Sequence, residues 1–270
     1  MLILSARQHL PLPRQALLPR EHGAYVQLGL PVVTALAITG PSTAGLWLTA
    51  AALACFLGYE PLLLVLGQRG ARRREEAGSL AWRRGLTLAG LGVFCGVLGI
   101  LGLPPEARPY LALPAILGAE VLLMTWGRQG RTLSGELLAG LALGAWAVPV
   151  ALAGGMAPGA ALSLWGTFAL GFSLATVAVH VIIRAHKPRE DRHLPRLAGL
   201  VAGGFGLAGA LVWSMTSGVS PWRVAALVPM AAVALGACAM LPAPRHLKRV
   251  GWSFAAAGLA TAVLLAVGLA

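Results

Sequence analysis

Charge is what this sequence has least of. Only 11% of its 270 residues are Asp, Glu, Lys or Arg, where a soluble domain carries about a quarter. With 57% hydrophobic residues and a mean hydropathy of +0.77, the chain cannot cover itself with a polar surface. That excludes a soluble enzyme, a secreted domain and a disordered chain together. A polytopic all-α membrane protein remains. Aspartate is scarcer still, with Asp191 alone. Cysteine is confined to Cys55, Cys95 and Cys238, each inside an apolar run and without a CxxC pair. No disulfide framework or thiol chemistry is indicated, and the three read as small packing residues. A signal peptide is absent, because the apolar start Met1 to Leu4 is too short and Arg7, Pro11, Pro13 and Arg14 follow. The first span is therefore expected to stay in the mature protein. No internal repeat is visible, and no polar stretch is long enough for an extramembrane domain.

What is present is a series of apolar runs. Cutting at charges, prolines and glycine clusters predicts nine spans, at about 22–39, 43–67, 85–103, 110–127, 135–154, 160–184, 196–217, 222–241 and 250–269. The stretch from Leu137 to Ile183 contains no ionised side chain and is too long for one crossing at about 1.5 Å per residue. Gly154-Gly155-Met156-Ala157-Pro158-Gly159 at its middle is a turn signal, so a helical hairpin is expected there. The domain reading is a basic cytoplasmic tail over 1–20 and one transmembrane helical domain over 21–270.

The net charge of +12 comes from bases set between apolar runs. They read as topology signals and lipid-headgroup partners, not as a nucleic-acid footprint. With the N-terminus placed inside, 19 of the 21 Lys and Arg residues fall on cytoplasmic segments, leaving only Arg108 and Arg223 outside. This positive-inside pattern predicts a cytoplasmic N-terminus, an outer C-terminus and a bacterial inner-membrane location. Trp47, Trp165, Trp213 and Trp222 fall near predicted outer ends and Trp82, Trp126 and Trp252 near inner ends, as in an aromatic belt. Gly92 with Gly96, and Gly140 with Gly144, have GxxxG spacing and are expected to serve packing within the bundle.

Ionisable groups inside spans are expensive, so they point to function. Glu60 and Glu120 lie about two turns inside the inner ends of the second and fourth spans, and Glu136 opens the fifth. Glu21 and His22 open the first, with Tyr25 on the face of Glu21. In the sixth span Ser173, Thr176, His180 and Arg184 form a stripe along one helical face. Glu21, His22, Tyr25, Glu60, Glu120, Glu136, Thr176, His180 and Arg184 are thus the candidates for a cytoplasm-facing polar cavity. Any one of them also reads as a structural ion pair, a protonated acid or a snorkelling base. Arg69, Arg72, Arg73, Arg74 and Arg128 are candidates for an anionic headgroup or diphosphate. Imidazole and carboxylate suit divalent metals, but no HxxE or HxxH spacing supports one, and no metal site is assigned. The bilayer is the certain partner, and a lipid-like or isoprenoid ligand is the expected one. Proton-coupled transport through His and Glu, or membrane assembly, are the rival functions.

Leu18-Pro19-Arg20-Glu21-His22-Gly23-Ala24-Tyr25 resembles the start of the first span in the YwiC-like family of bacterial membrane proteins. The segments Thr176 to Arg184 and Leu247-Lys248-Arg249-Val250-Gly251-Trp252 resemble the same family. That likeness implies an architecture and no defined activity. Nine spans with basic loops after the second and sixth also resemble the UbiA-type intramembrane prenyltransferases. Such a resemblance implies a prenyl diphosphate ligand, with Mg²⁺ bound alongside it by Asp-rich motifs. This sequence departs from that pattern, with only Glu60 near the second-span end, Glu190-Asp191 in the later loop, and no DxxxD.

Overall fold

The computed structural model describes residues 17–19, 22–186, 193, 196–201, 203–204, 206, 208–209 and 221–269. Among them all regular structure is helical. The helices are α1 (His22–Thr39), α2 (Thr43–Val65), α3 (Ala71–Leu101), α4 (Ala112–Trp126), α5 (Leu133–Ala145), α6 (Ala147–Ala153), α7 (Pro158–Ala185), α8 (Pro221–Met240) and α9 (Leu247–Leu269). Six helical segments are long and apolar enough to cross a membrane: Thr43–Val65, Ala71–Leu101, Pro105–Trp126, Leu133–Ala153, Pro158–Ala185 and Pro244–Gly268. Gly23–Thr39 and Val224–Met240 are shorter apolar helices. Half of the predicted seventh span, 196–217, lies outside the described residues.

The bundle is organised around the short helix α6, whose residues Ala147 to Leu152 are all buried. It packs against α1, α2 and α7, and its apolar side chains join Val32, Leu48, Leu164 and Phe168 in the main core. A second core lies between α7, α8 and α9, around Ile182, Ala234 and Phe254. Helices α3 and α4 form the rim, with only 11% of their apolar windows buried. Val93, Phe94, Leu101, Ile116 and Leu123 point outward from them. Such faces would drive aggregation in water, and they match a hydrocarbon solvent.

Small residues let the helices approach. A Cβ at Gly99 would lie 2.7 Å from the Leu48 side chain and 3.2 Å from its backbone nitrogen, so α3 rests directly on α2 there. Gly92 faces Ala54 and Cys55 of α2, while Gly140 faces Gln27 and Gly144 faces Trp165 and Pro31. Both GxxxG pairs therefore contact helices of the same chain. Several hydroxyls within the spans are satisfied locally, while the buried Thr261 hydroxyl makes no hydrogen bond among the described residues. Thr34, Thr49, Thr167 and Thr176 donate to the carbonyls four residues earlier, the economical solution where water is missing.

The predicted hairpin is present. Helix α6 ends at Ala153, Gly155 takes the left-handed φ of +86°, and α7 begins with Pro158 in its first turn. Two sequence expectations need correction. Helix α3 starts at Ala71, not near 85, because Arg, Glu and Ala are good helix formers in the water beyond the apolar run. Arg72, Arg73 and Arg74 consequently lie on a helix, and the connection from α2 is the short turn Leu66 to Gly70. Trp165 does not serve a belt. Half-buried, it donates its indole N–H to the Leu141 carbonyl at 3.1 Å and ties α7 to α5. Trp82, Trp126 and Trp252, by contrast, are well exposed.

Candidate functional site

The polar candidates gather at one end of the bundle, in two groups. The first group is built on the end of α2. Glu60 is buried, and Pro61 after it lacks an N–H. Beyond the helix end the chain reverses through Gly67, at φ +73°. This turn brings Arg69 back onto Glu60. Arg69 Nε donates to Glu60 Oε1 at 2.8 Å, and its Nη2 donates to Oε2. The geometry is bidentate, the strongest arrangement open to these two groups. A cavity candidate and a headgroup candidate thus turn out to be partners.

Three residues that sequence reasoning passed over complete this group. Tyr59 and Thr125 share a hydrogen bond of 2.8 Å between their hydroxyls. Gln68 donates its side-chain amide to the Thr125 carbonyl. Gly130 crosses above, where a Cβ would lie 3.7 Å from both hydroxyl oxygens. The α2–α3 turn is thereby fastened to the end of α4. Their one sequence signal is polarity inside an apolar run, and a lone Tyr or Thr is too common there to stand out.

The end of α4 is itself unusual. Gln129 N donates to the Met124 carbonyl at 2.8 Å and Arg128 N to the Thr125 carbonyl at 3.0 Å. These are the paired bonds of a Schellman cap, whose left-handed residue is usually Gly. Here it is Arg128, at φ +57°. A side chain in that conformation costs roughly 1 kcal/mol relative to Gly. Arg128 and Arg74 line one open cleft of about 510 Å³ with Leu66, Gly67, Ala71 and Glu75. Of the other headgroup candidates, Arg72 donates to Glu76 at 2.8 Å, and Arg73 is half-buried beside it on α3.

The second group lies between α1, α5 and α7. Glu136 stands in the first turn of α5, which Thr132 caps by accepting from the Gly135 N–H at 3.2 Å. Its Oε2 lies 3.5 Å from His180 Nδ1 on α7. Nδ1 is shielded from solvent and makes no hydrogen bond among the described residues. One turn further along α5, the Gln27 amide of α1 rests against Gly140, its nitrogen 3.2 Å from where a Cβ would be. Gln27 is a fourth residue the sequence reading missed. Thr176 lies on the His180 face, with its hydroxyl given to the Phe172 carbonyl at 2.9 Å. Arg184 is exposed in the last turn of α7, where a cation suits the helix dipole.

The remaining candidates are placed as follows. Tyr25 packs edge-on against Phe56, centroids 4.8 Å apart, and donates its hydroxyl to the Pro19 carbonyl at 3.1 Å. Phe56 is one turn before Glu60, so Tyr25 borders the first group. Glu120 is exposed on α4 and joins neither group. Glu21 and the His22 side chain lie outside the described residues, as does Asp191. Among the described residues, no three His, Cys, Asp or Glu side chains converge to hold a metal ion.

Apolar helices of spanning length, lipid-facing rim helices and a polar end define an integral, multi-pass membrane protein. Residues 18–151 match the model of the YwiC-like protein family. No curated protein and no solved structure matches the chain.

Proposed function

We propose that the protein spans the bacterial cytoplasmic membrane nine times, N-terminus inside and C-terminus outside. Its basic, cytoplasm-facing end binds a lipid-like or isoprenoid ligand between α1, α5 and α7. The observation that carries this reading is His180. Its Nδ1 is buried, faces Glu136 at 3.5 Å, and is left without a hydrogen bond among the described residues. A polar atom withdrawn from water and left without a hydrogen bond costs about 1–3 kcal/mol, and a ligand's polar group would recover that cost. Gln27 from the third helix supplies a further donor and acceptor. The apolar faces of the surrounding helices suit a long tail.

Rival readings have less support. Transfer of a prenyl group in the UbiA manner needs carboxylates for Mg²⁺, yet Glu60 is engaged by Arg69. Proton-coupled transport through His180 and Glu136 needs a polar route to the other end. The proposed outer segments there carry only Glu106, Arg108 and Arg223. A membrane assembly role would show as a co-purifying partner protein.

The test is stabilisation by fractionated membrane lipid extract, read as thermal unfolding in detergent. One fraction should raise the midpoint of the wild type and leave His180→Asn unmoved. An equal rise in both would place the ligand elsewhere.

A further inference from the structure

The cleft between the α2–α3 turn and the α4–α5 loop stands apart from the Glu136–His180 pair, and its chemistry differs. Two arginines from separate segments, Arg74 and Arg128, both line it. Arg74 lies over Gly67, its Nη1 3.7 Å from where a Cβ would be. Arg128 is held there by a left-handed backbone that would be more stable with glycine. Neighbouring arginines are committed elsewhere, Arg69 to Glu60 and Arg72 to Glu76. Helix α3 also opens with three arginines and no acid in its first turn, at the positive end of its dipole. An anion in the cleft relieves that crowding. Glu75 lines the same cleft, so the lining bears two positive charges and one negative. The site therefore balances a single negative charge and meets a second with repulsion. Its level follows from Trp126, which is 77% exposed and two residues before Arg128. Exposed tryptophan marks the headgroup layer.

We propose that this cleft binds the phosphodiester headgroup of an anionic phospholipid. Arg74 and Arg128 are its donors, and Glu75 turns away doubly charged phosphates.

The experiment is native mass spectrometry of the full chain in mild detergent, titrated with phosphatidylglycerol and with phosphatidylcholine of the same acyl chains. The wild type should prefer phosphatidylglycerol by about tenfold, because both lipids offer a phosphodiester but the choline cation of the second cancels its charge and meets the two arginines with repulsion. Arg128→Gly keeps the cap conformation and should melt no lower than the wild type while losing that preference. Arg74→Gln should lose it too, and Arg72→Gln should keep it. Equal binding of the two lipids by the wild type, or an equal loss in Arg72→Gln, overturns the site in favour of diffuse surface charge. Inorganic pyrophosphate should fail to displace phosphatidylglycerol from the wild type and succeed with Glu75→Gln. Displacement from the wild type overturns the role given to Glu75.

Discussion

At the scale of single residues, the Glu60–Arg69 pair decides what the buried carboxylate is for. Glu60 has only 2% of its side chain exposed, and Arg69 15%. Removing one partner of such a pair leaves a charge in a medium that cannot solvate it, at a cost of about 3–5 kcal/mol. Glu60→Gln is therefore expected to lower the thermal midpoint in detergent markedly. Replacing both residues by leucine should recover much of the loss, because two apolar groups need no solvation. If Glu60→Gln melts with the wild type, the pair contributes nothing to the fold. The depth of Glu60 was legible in the sequence, but its partner was not. Arg69 comes after the helix end, and only the left-handed Gly67 turns it back. The same holds for Glu136 and His180. Helical spacing put each at the inner end of its own span, and the fold set them 3.5 Å apart.

At the scale of helices, the contact of α2 with α3 rests on the absence of side chains. Gly99→Ala would drive a Cβ to within 3.2 Å of the Leu48 backbone nitrogen, and overpacking of this kind costs about 1–3 kcal/mol. Gly96→Ala adds a methyl 4.0 Å from Ala51 Cβ, an ordinary contact. The first substitution should lower the melting midpoint and the second should not. Equal effects would mean that α3 is free to shift on α2. Apolar runs located α1, α2 and α7 to within a few residues, whereas the run over 135–154, expected as one helix, is divided into α5 and α6 at Trp146. The start of α3 was not legible. A helix continues through Arg, Glu and Ala once its apolar part is anchored, and hydropathy says nothing of that. The Tyr59–Thr125 bond joins residues 66 positions apart, and no local pattern encodes it.

At the scale of the whole molecule, the proposal is a directional one: a basic cytoplasmic end and a nearly uncharged outer end. In a background with Cys55, Cys95 and Cys238 replaced, a single cysteine at Arg131 should react with an impermeant thiol reagent only from the cytoplasmic side. One at Met156, in the α6–α7 turn, should react only from outside. The opposite pattern would invert the topology and, with it, the compartment from which a ligand arrives. The measurement closest to the central claim is native mass spectrometry of the freshly purified protein with its endogenous ligands retained. A defined non-phospholipid adduct on the wild type, lost in His180→Asn and kept in Arg128→Gly, is the predicted result. Protein carrying only loosely held bulk lipid, or an adduct indifferent to His180, would contradict it.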